Sequence, residues 1–592
     1  MRKLPFLYVV PYFLVVLAVF AALNPLLLVE FPRLNLYEGE LAFSEERTLA
    51  DLQTLLQRFP DRSPGSPSNQ AAAQWMAERF RQMGLDTRLE FFETLAPEDI
   101  WSPGFLFRPF NLTHWQIRGA NVLAYSQGRS PSVVLLMANR DVRPSAGPAA
   151  LGNAAGSALL LEMARVLTES DHFYSYLFVS TDAEDTGRQG ARYLAQFHPD
   201  LSLRLAIYID DVAAEGARYL HPYHLMSARQ ASPLWTMALA RQVMAAQGLA
   251  DPLDGEPGEG HPLALFFALL QQRGWGVSPY EHTGVFVERG DAVLGVAAVN
   301  PSAPGGLAAW LGFQPSVAGA SSEETPAPDH PATLSMAGRF IEQYIRSLAL
   351  NQFGPALLAR SYVIWGDRYL PPASVSLFVG LLLAAFALFA ALPFLYPPVK
   401  WHAFANFLER DLPWLMRLAG LAFLSGAVWL LPRLPIMRVF PPVIFLLTTA
   451  GIALLGGLRI VRQRMYFLRL WHFEPTLAHQ RRFLVIALAF LFLAYSLLLS
   501  PLAAAGMLLL PFLVWSVARF RQAKNRRVWA ILFGGWTLLH LLLGTLALYT
   551  VMNHAAPWTL TGLLAFTLNS ALWLVILVYV FSTPPLGVIE RR

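Results

Sequence analysis

The sequence predicts an α/β domain, with a mostly parallel sheet and helices on both faces, joined to an all-helical membrane domain. Three observations lead to this fold class. The 592 residues are 55% hydrophobic and only 14% charged, a balance that excludes a string of soluble domains. Apolar runs long enough to cross a bilayer lie near the amino terminus and throughout the carboxyl-terminal part. Between them, strand-like segments alternate with helix-like segments.

The first apolar run predicts an amino-terminal anchor at residues 1–31. It extends uncharged from Leu4 to Val29 after Arg2-Lys3, which is too long for the core of a signal peptide. Basic residues before a span favour a cytoplasmic amino terminus. Scattered charge and Pro/Gly turns then predict a globular, extracytoplasmic domain at residues 32–368.

Residues 369–592 predict a membrane domain of seven helices, which makes eight spans with the anchor. Residues 483–518 would form a helix of about 54 Å, too long for one crossing, so we interpret them as two spans that turn near Ser500-Pro501. The basic loops then alternate correctly, and both termini are cytoplasmic. The predicted spans are about 372–396, 412–432, 439–458, 483–500, 502–518, 528–551 and 559–582.

The net charge of +5 and the absence of cysteine indicate which partners and which cellular location to expect. The excess Arg lies beside apolar runs, where membrane topology explains it, so we expect no nucleic-acid partner. A chain without Cys has no disulfide, thiolate metal site or Cys nucleophile. This is unusual for a eukaryotic secretory ectodomain of this size and favours a bacterial plasma membrane.

Within residues 32–368 the pattern alternates between buried strands and helices. The expected strands are Ser132–Ala138, Tyr174–Ser180, Leu205–Ile209 and Ala292–Val299. The expected helices are Gly156–Leu167, Gly187–Gln196, Pro233–Gln247 and Ala332–Leu348. Three of the four strands end in polar residues, at Asn139-Arg140-Asp141, Thr181–Asp185 and Asp210-Asp211. Since active sites of such sheets form at the carboxyl ends of strands, we predict a cleft there.

The order of these segments resembles the co-catalytic zinc aminopeptidases. The resemblance rests on Asn139-x-Asp141, Gly152–Gly156, Glu184-Asp185-x-Gly187 and Ile209-Asp210. In that family a His precedes x-Asp, a bridging Asp stands before Asn-x-x-Gly, two acids follow the next strand, an Asp follows the fourth, and a late His completes the set. The resemblance therefore implies that Glu184 occupies the position of the general base.

The same resemblance implies that the metal site is incomplete. Asp185 and Asp210 match acidic ligands, whereas Asn139, Gly152 and Ala320 stand where the family has His, Asp and His. Because a catalytic zinc needs three protein ligands and a two-metal site needs a bridging carboxylate, we predict no bound metal and no cofactor. The neighbours that could contact a ligand in the cleft are Asp182, Asp211, Glu281 and His282.

Acids at strand ends also have a purely structural interpretation. Asp185 precedes the next predicted helix and could cap its amino terminus. Asp210 and Asp211 could likewise cap a helix or bind loop backbone, retain contacts to a substrate, or take part in catalysis. The sequence leaves these roles open.

The layout as a whole resembles a second family, the non-catalytic attachment subunits of GPI transamidases. Proteins of that family have one amino-terminal span, then a degenerate aminopeptidase-like domain outside the cytoplasm, and then a bundle of spans. Two short segments are also similar, Leu36–Ala42 after the anchor and Glu281–Arg289 before a hydrophobic strand. This resemblance implies a membrane-anchored protein that binds a polypeptide or a partner enzyme, together with a membrane lipid.

The predicted spans contain few polar residues. His540 and Asn569 lie near the middle of two of them, where a polar side chain faces another helix or a cavity. Apart from Arg417, near the start of the span at 412–432, no Asp, Glu, Lys or Arg lies within a span, which disfavours an ion-coupled transporter.

Three functions of different classes remain. The first is a catalytically silent protein that presents a polypeptide or assembles with a partner enzyme. The second is an active membrane-bound aminopeptidase with a rearranged zinc site, in which Glu184 is the general base. The third is a lipid-handling membrane module whose outer domain only stabilises it.

Overall fold

The chain divides into two compact units. One consists of Leu23–Ala96 and Trp115–Ser376, and the other of Met1–Ala22, Pro97–His114 and Leu377–Arg592. The computed structural model describes residues 28–97, 114–142, 151–184, 189–210, 212–213, 219–224, 232–249, 284–299, 331–360, 362–365, 368–371 and 373–374, with isolated residues between 417 and 463. The predicted domain limits 1–31, 32–368 and 369–592 stay predictions.

None of the helices formed by the described residues has both the length and the apolar character that a bilayer crossing demands. The anchor and the seven carboxyl-terminal spans lie outside those residues apart from scattered positions. His540 and Asn569 also lie outside them. The eight-span arrangement therefore stays a prediction.

The first unit is a mixed α/β domain, as the alternating pattern predicted. Its strands are β1 (Val29–Glu30), β2 (Asp86–Pro97), β3 (His114–Ser126), β4 (Ser130–Asn139), β5 (Tyr174–Thr181), β6 (Leu203–Ile209), β7 (Tyr219–His224), β8 (Val293–Val299), β9 (Val363–Trp365) and β10 (Arg368–Leu370). Its helices are α1 (Glu45–Arg58), α2 (Pro67–Gln82), α3 (Leu151–Thr168), α4 (Gln189–Phe197), α5 (Leu234–Ala246), α6 (Gly284–Arg289) and α7 (Pro331–Leu348).

The main sheet has the strand order β2-β3-β5-β4-β6-β8-β7. The four strands expected from the sequence form its centre, and each runs parallel to its neighbours there. At the flanks, β3 is antiparallel to β5 and β7 is antiparallel to β8. The sheet is therefore mixed, with a parallel centre that brings the carboxyl ends of β4, β5, β6 and β8 to one edge.

Helices cover both faces of this sheet, and the alternation of side chains along β4 shows why. Val134, Leu136 and Ala138 pack into the larger core with α1, α2, α3, α5 and α7. Val133, Leu135 and Met137 point the other way and pack with α4 and α6. The two sets point to opposite faces because successive side chains of a strand alternate, and both are buried because helices cover each face. The continuous apolar run in the sequence follows from this two-sided burial.

An extended segment before α1 is held by buried acids on two helices. Ala42 N and Phe43 N donate to the two carboxylate oxygens of Glu342 on α7, each at 2.9 Å. Ser44 N donates to Glu162 Oε1 on α3 at 2.9 Å. Leu36–Ala42, which resembles a segment of the attachment subunits, therefore belongs to a stretch bound across the helical layer.

The two ends of the α/β domain are joined in a small second sheet. Its order is β1-β10-β9, and the pairs are antiparallel. Val29 lies opposite Tyr369, and Glu30 lies opposite Arg368. The segment that enters the domain and the segment that leaves it therefore run side by side.

Candidate functional site

The predicted cleft edge forms where β4, β5 and β6 end at the same level. Asn139 lies opposite Thr181 in the parallel pair of β4 and β5, and Ala138 lies opposite Ile209 in the pair of β4 and β6. The residues that follow, Arg140, Asp182 and Asp210, therefore leave the sheet next to one another. Each has a different environment.

Arg140 is fully buried and every nitrogen of its guanidinium has an acceptor. Nε donates to Asn69 Oδ1 at 2.8 Å, and Nη1 donates to Ser180 Oγ at 3.0 Å. Nη2 donates to the carbonyl of Ala120 at 2.9 Å and lies 3.2 Å from Asp182 Oδ2. Burial lowers the pKa of Arg140, and the charges of Asp182 and Asp141 oppose that shift.

Asp182 is the partner of this cation and is only 2% exposed. Oδ1 accepts from Asn69 Nδ2 at 2.8 Å and from Ala183 N at 2.7 Å. Oδ2 accepts from Ala120 N at 3.0 Å in addition to its contact with Arg140. Four protein donors thus surround this carboxylate, although the sequence suggested a cleft contact.

A second buried cation, Arg62, lies against the first. Its Nε donates to the carbonyl of Arg140 at 3.0 Å, and Nη1 donates to the carbonyl of Phe59 at 2.9 Å. Burial lowers the pKa of Arg62 to about 10, the charge of Arg140 lowers it too, and Asp141 opposes both. Arg62 therefore remains charged at neutral pH, next to a second cation that is itself paired with Asp182.

Glu184, at the general-base position, makes a structural hydrogen bond. Its Oε1 accepts from the backbone N of Ala191 at 2.6 Å, in the first turn of α4, and the side chain is 2% exposed. Its own backbone N donates to Asp141 Oδ1 at 3.1 Å. A carboxylate at this place satisfies a free helix N–H and interacts favourably with the helix dipole.

The backbone between the two acids is strained. Ala183 has φ of 57°, the left-handed conformation that costs an L-residue about 1–2 kcal/mol. Opposite it, Gly190 leaves no room for a side chain, since a Cβ there would lie 2.5 Å from Asp182 O and 2.6 Å from Asn121 Oδ1. The loop and the start of α4 therefore fit together only with glycine at this position.

Asn139 and Gly152 occupy the positions where the family pattern has metal ligands. Asn139 Oδ1 accepts from the Tyr208 hydroxyl at 2.9 Å, and the residue is 3% exposed. Gly152 lies in the first turn of α3 and has no side chain to offer. The next residue, Asn153, donates from Nδ2 to the carbonyl of Asp141. Hydrogen bonds within the protein thus hold this part of the edge.

Asp210 differs from the other acids because it is only half-buried. Its Oδ2 accepts from the hydroxyl of Tyr223 on β7 at 2.9 Å, and its backbone N donates to Val296 O at 2.9 Å. The ring of His221 stacks on Tyr223 at a centroid distance of 5.9 Å. Solvent therefore reaches the group of Asp210, Tyr223 and His221, each of which is partly exposed.

Five further predicted positions lie outside the described residues: Asp185, Asp211, Glu281, His282 and Ala320. Two further members of the site, Arg62 and Asn69, were not predicted from the sequence. Arg140 was named, but its pairing with a buried acid was not predicted. For Arg140 a signal existed, because a charged residue directly after a buried apolar strand must find a partner. For Arg62 and Asn69 no spacing indicated the contact.

The described donors do not fit a two-zinc centre. Gly152 has no ligand atom, the amide oxygen of Asn139 is bound to Tyr208, and both oxygens of Asp182 are taken by protein donors. Among the residues that the structure describes, His, Asp and Glu nowhere converge in threes around a possible ion. The prediction that no metal binds stays a prediction, since Asp185 lies beyond these residues.

Comparisons with known proteins agree with the peptidase-like pattern. Residues 121–255 match the peptidase family M28. The alkaline phosphatase isozyme conversion protein of Escherichia coli (strain K12) is 25% identical over 190 residues, which cover 29% of this chain and 51% of that protein. The chain thus aligns with about half the length of this curated relative.

Two solved structures are similar over somewhat more than half of this chain. A zinc aminopeptidase from Bacillus subtilis is 13% identical, with a TM-score of 0.37, covering 56% of this chain and 100% of its own. A glutaminyl cyclase from Porphyromonas gingivalis is 17% identical, with a TM-score of 0.33, covering 51% of this chain and 98% of its own. The part of the chain that is similar to the peptidase family M28, residues 121–255, includes the strand-end acids Asp182, Glu184 and Asp210.

Proposed function

We propose that the α/β domain is a non-catalytic, aminopeptidase-like recognition domain that binds a polypeptide or a partner enzyme at the carboxyl edge of its sheet. The chain holds this domain outside a bacterial plasma membrane, and its predicted spans contact lipid. In this role it resembles the attachment subunits of GPI transamidases. The name of the Escherichia coli relative refers to the conversion of another protein, which favours a polypeptide as the ligand.

One observation carries the proposal: Glu184 acts as a helix cap. A general base must reach the proton of an activated water, whereas this carboxylate is 2% exposed and accepts from Ala191 N at 2.6 Å. Asp182 is likewise engaged with Arg140. Among the described acids at this edge, the half-buried Asp210 remains within reach of a ligand, for which it offers a negative charge.

A second function, an active zinc aminopeptidase, is favoured by the M28 match and by the retention of Glu184 and Asp210 at their family positions. The two functions differ in metal content. We expect the purified full-length chain, dialysed against zinc-containing buffer, to hold less than one zinc per chain and to leave aminoacyl p-nitroanilides intact. Stoichiometric zinc, with cleavage that is lost in Glu184→Gln, would establish the second function instead.

Binding is tested with fluorescein-labelled casein as an unfolded polypeptide probe. We expect saturable binding in fluorescence anisotropy, and we expect Asp210→Asn to weaken it several-fold, since one charge at the open edge is removed. The matched control is Asp200→Asn, which removes an exposed carboxylate away from the edge and should bind like the unmodified chain. Equal affinity of all three proteins would count against the edge as the binding site.

A further inference from the structure

We propose that Arg62 and Arg140 replace bound metal as the positive charge that holds the strand-end carboxylates together, so that the α/β domain keeps its fold without a divalent cation. This goes beyond the proposed function, because it concerns what stabilises the site and holds whether or not a polypeptide binds there.

The need for a cation comes from burial. Asp141, Asp182 and Glu184 are 0%, 2% and 2% exposed, and they lie at the ends of two adjacent strands. Buried carboxylates are stable only when they are paired or hydrogen-bonded, because removing their charge from water is costly. Three such groups in one place require compensating positive charge.

Two guanidinium groups supply that charge from the same site. Arg140 stands between Asn139 and Asp141, two of the positions that match the family pattern, and contacts Asp182 at 3.2 Å. Arg62 donates to the backbone carbonyl of Arg140 at 3.0 Å. Both side chains are 0% exposed. The charge of Asp141 favours the charged form of both cations, and the charge of Asp182 favours that of Arg140.

The geometry of the acceptors suits a guanidinium group rather than a metal ion. The three nitrogens of Arg140 are directed at four acceptors in different elements, on Asn69, Ala120, Ser180 and Asp182. A planar fork with five donors matches such a divergent set. A dication instead needs oxygens that converge on one point, whereas those of Asp182 also accept from Asn69, Ala120 and Ala183.

A double-mutant cycle tests the pairing. Arg140→Gln and Asp182→Asn each leave one buried charge without its partner in this pair. The double variant leaves two neutral amide side chains at these positions instead. We expect each single variant to lose the protection of residues 134–141 and 176–184 in amide hydrogen exchange, and the double variant to regain at least half of it. A double variant no better protected than the worse single variant would overturn the inference.

The matched control is the pair of Arg289 and Asp291, which are 2.6 Å apart but partly exposed. The same cycle on Arg289→Gln and Asp291→Asn should give nearly additive changes, because solvent screens this pair. Equal coupling in both pairs would mean that burial gives the Arg140 pair no special role, and would also contradict the inference.

Metal response gives a second readout that survives a failure of the variants to fold. EDTA should leave the exchange protection of the unmodified chain unchanged, and added zinc should not increase it. Loss of protection in EDTA would overturn the inference directly. Cleavage of an aminoacyl substrate together with EDTA-resistant protection would instead remove the proposed function and leave this inference standing.

Discussion

The two halves of the carboxyl edge treat similar acids in opposite ways. In the closed half, after β4 and β5, Asp182 is buried beneath four protein donors. In the open half, after β6, Asp210 is half-buried and has Tyr223 as its side-chain partner. Both acids follow an apolar strand in the sequence. The difference shows that an acid at a strand end acquires its role from the residues that fold against it.

The largest expected loss of stability comes from a substitution that crowds the backbone of the closed half. In Gly190→Ala the new Cβ would meet the backbone of Asp182 and the side chain of Asn121, so something must shift. We expect the free energy of unfolding to fall by about 1–3 kcal/mol, as for other overpacked sites. Thermal melting followed by tryptophan fluorescence of the full-length chain measures it.

Gly354→Ala is the control for that prediction. Its Cβ would meet nothing within 4 Å. The melting temperature should therefore stay close to that of the unmodified chain. If Gly190→Ala melts no earlier than Gly354→Ala, the closed half has more room than its geometry indicates.

A smaller effect is expected from the helix cap. Glu184→Ala removes the acceptor for Ala191 N and should lower the stability by about 0.5–2 kcal/mol, as the loss of other helix caps does. Glu184→Gln keeps an acceptor oxygen for Ala191 N and should lose less stability. The loss that remains comes from the weaker interaction of a neutral side chain with the helix dipole. Hydrogen exchange at residues 189–194 distinguishes the two variants, and identical losses would argue against a capping role.

The smallest effect is expected in the open half. Tyr223→Phe removes the hydroxyl that donates to Asp210 and should cost at most about 1 kcal/mol, because solvent can replace the lost partner of a half-exposed carboxylate. The same melting experiment measures it. A loss as large as that of Gly190→Ala would show that the two halves are equally closed.

The centre of the sheet was predictable from the sequence because β4, β5, β6 and β8 are buried on both faces, which produces continuous apolar runs. The flanking strands β2, β3 and β7 were missed. β3 mixes Gln116, Arg118 and Asn121 into its length, and β7 contains Pro222, so neither gives a clean strand pattern.

Helices α1 and α2 were missed although the sequence carries their start signals. Ser44 caps α1 and is followed by two acids, and Ser66 caps α2 and is followed by Pro67. Both are recognised amino-terminal signatures. Both helices lack the apolar runs on which the predicted elements rest.

The site was predictable in position but not in role. The residues Asn139, Glu184 and Asp210 were identified from their places after strands, because parallel strands end at a common edge. Their partners Tyr208, Ala191 and Tyr223 belong to other elements. Contacts between elements arise from tertiary packing, which spacing along the chain does not encode.

The pairing of β1 with β10 brings the first and last segments of the α/β domain together. Because Val29 lies opposite Tyr369, the points where the polypeptide enters and leaves are neighbours. A domain with adjacent ends can be grafted into a surface loop of a host protein, or circularly permuted, with little disturbance on either side. The same adjacency means that such a unit can be gained or lost in a single genetic event.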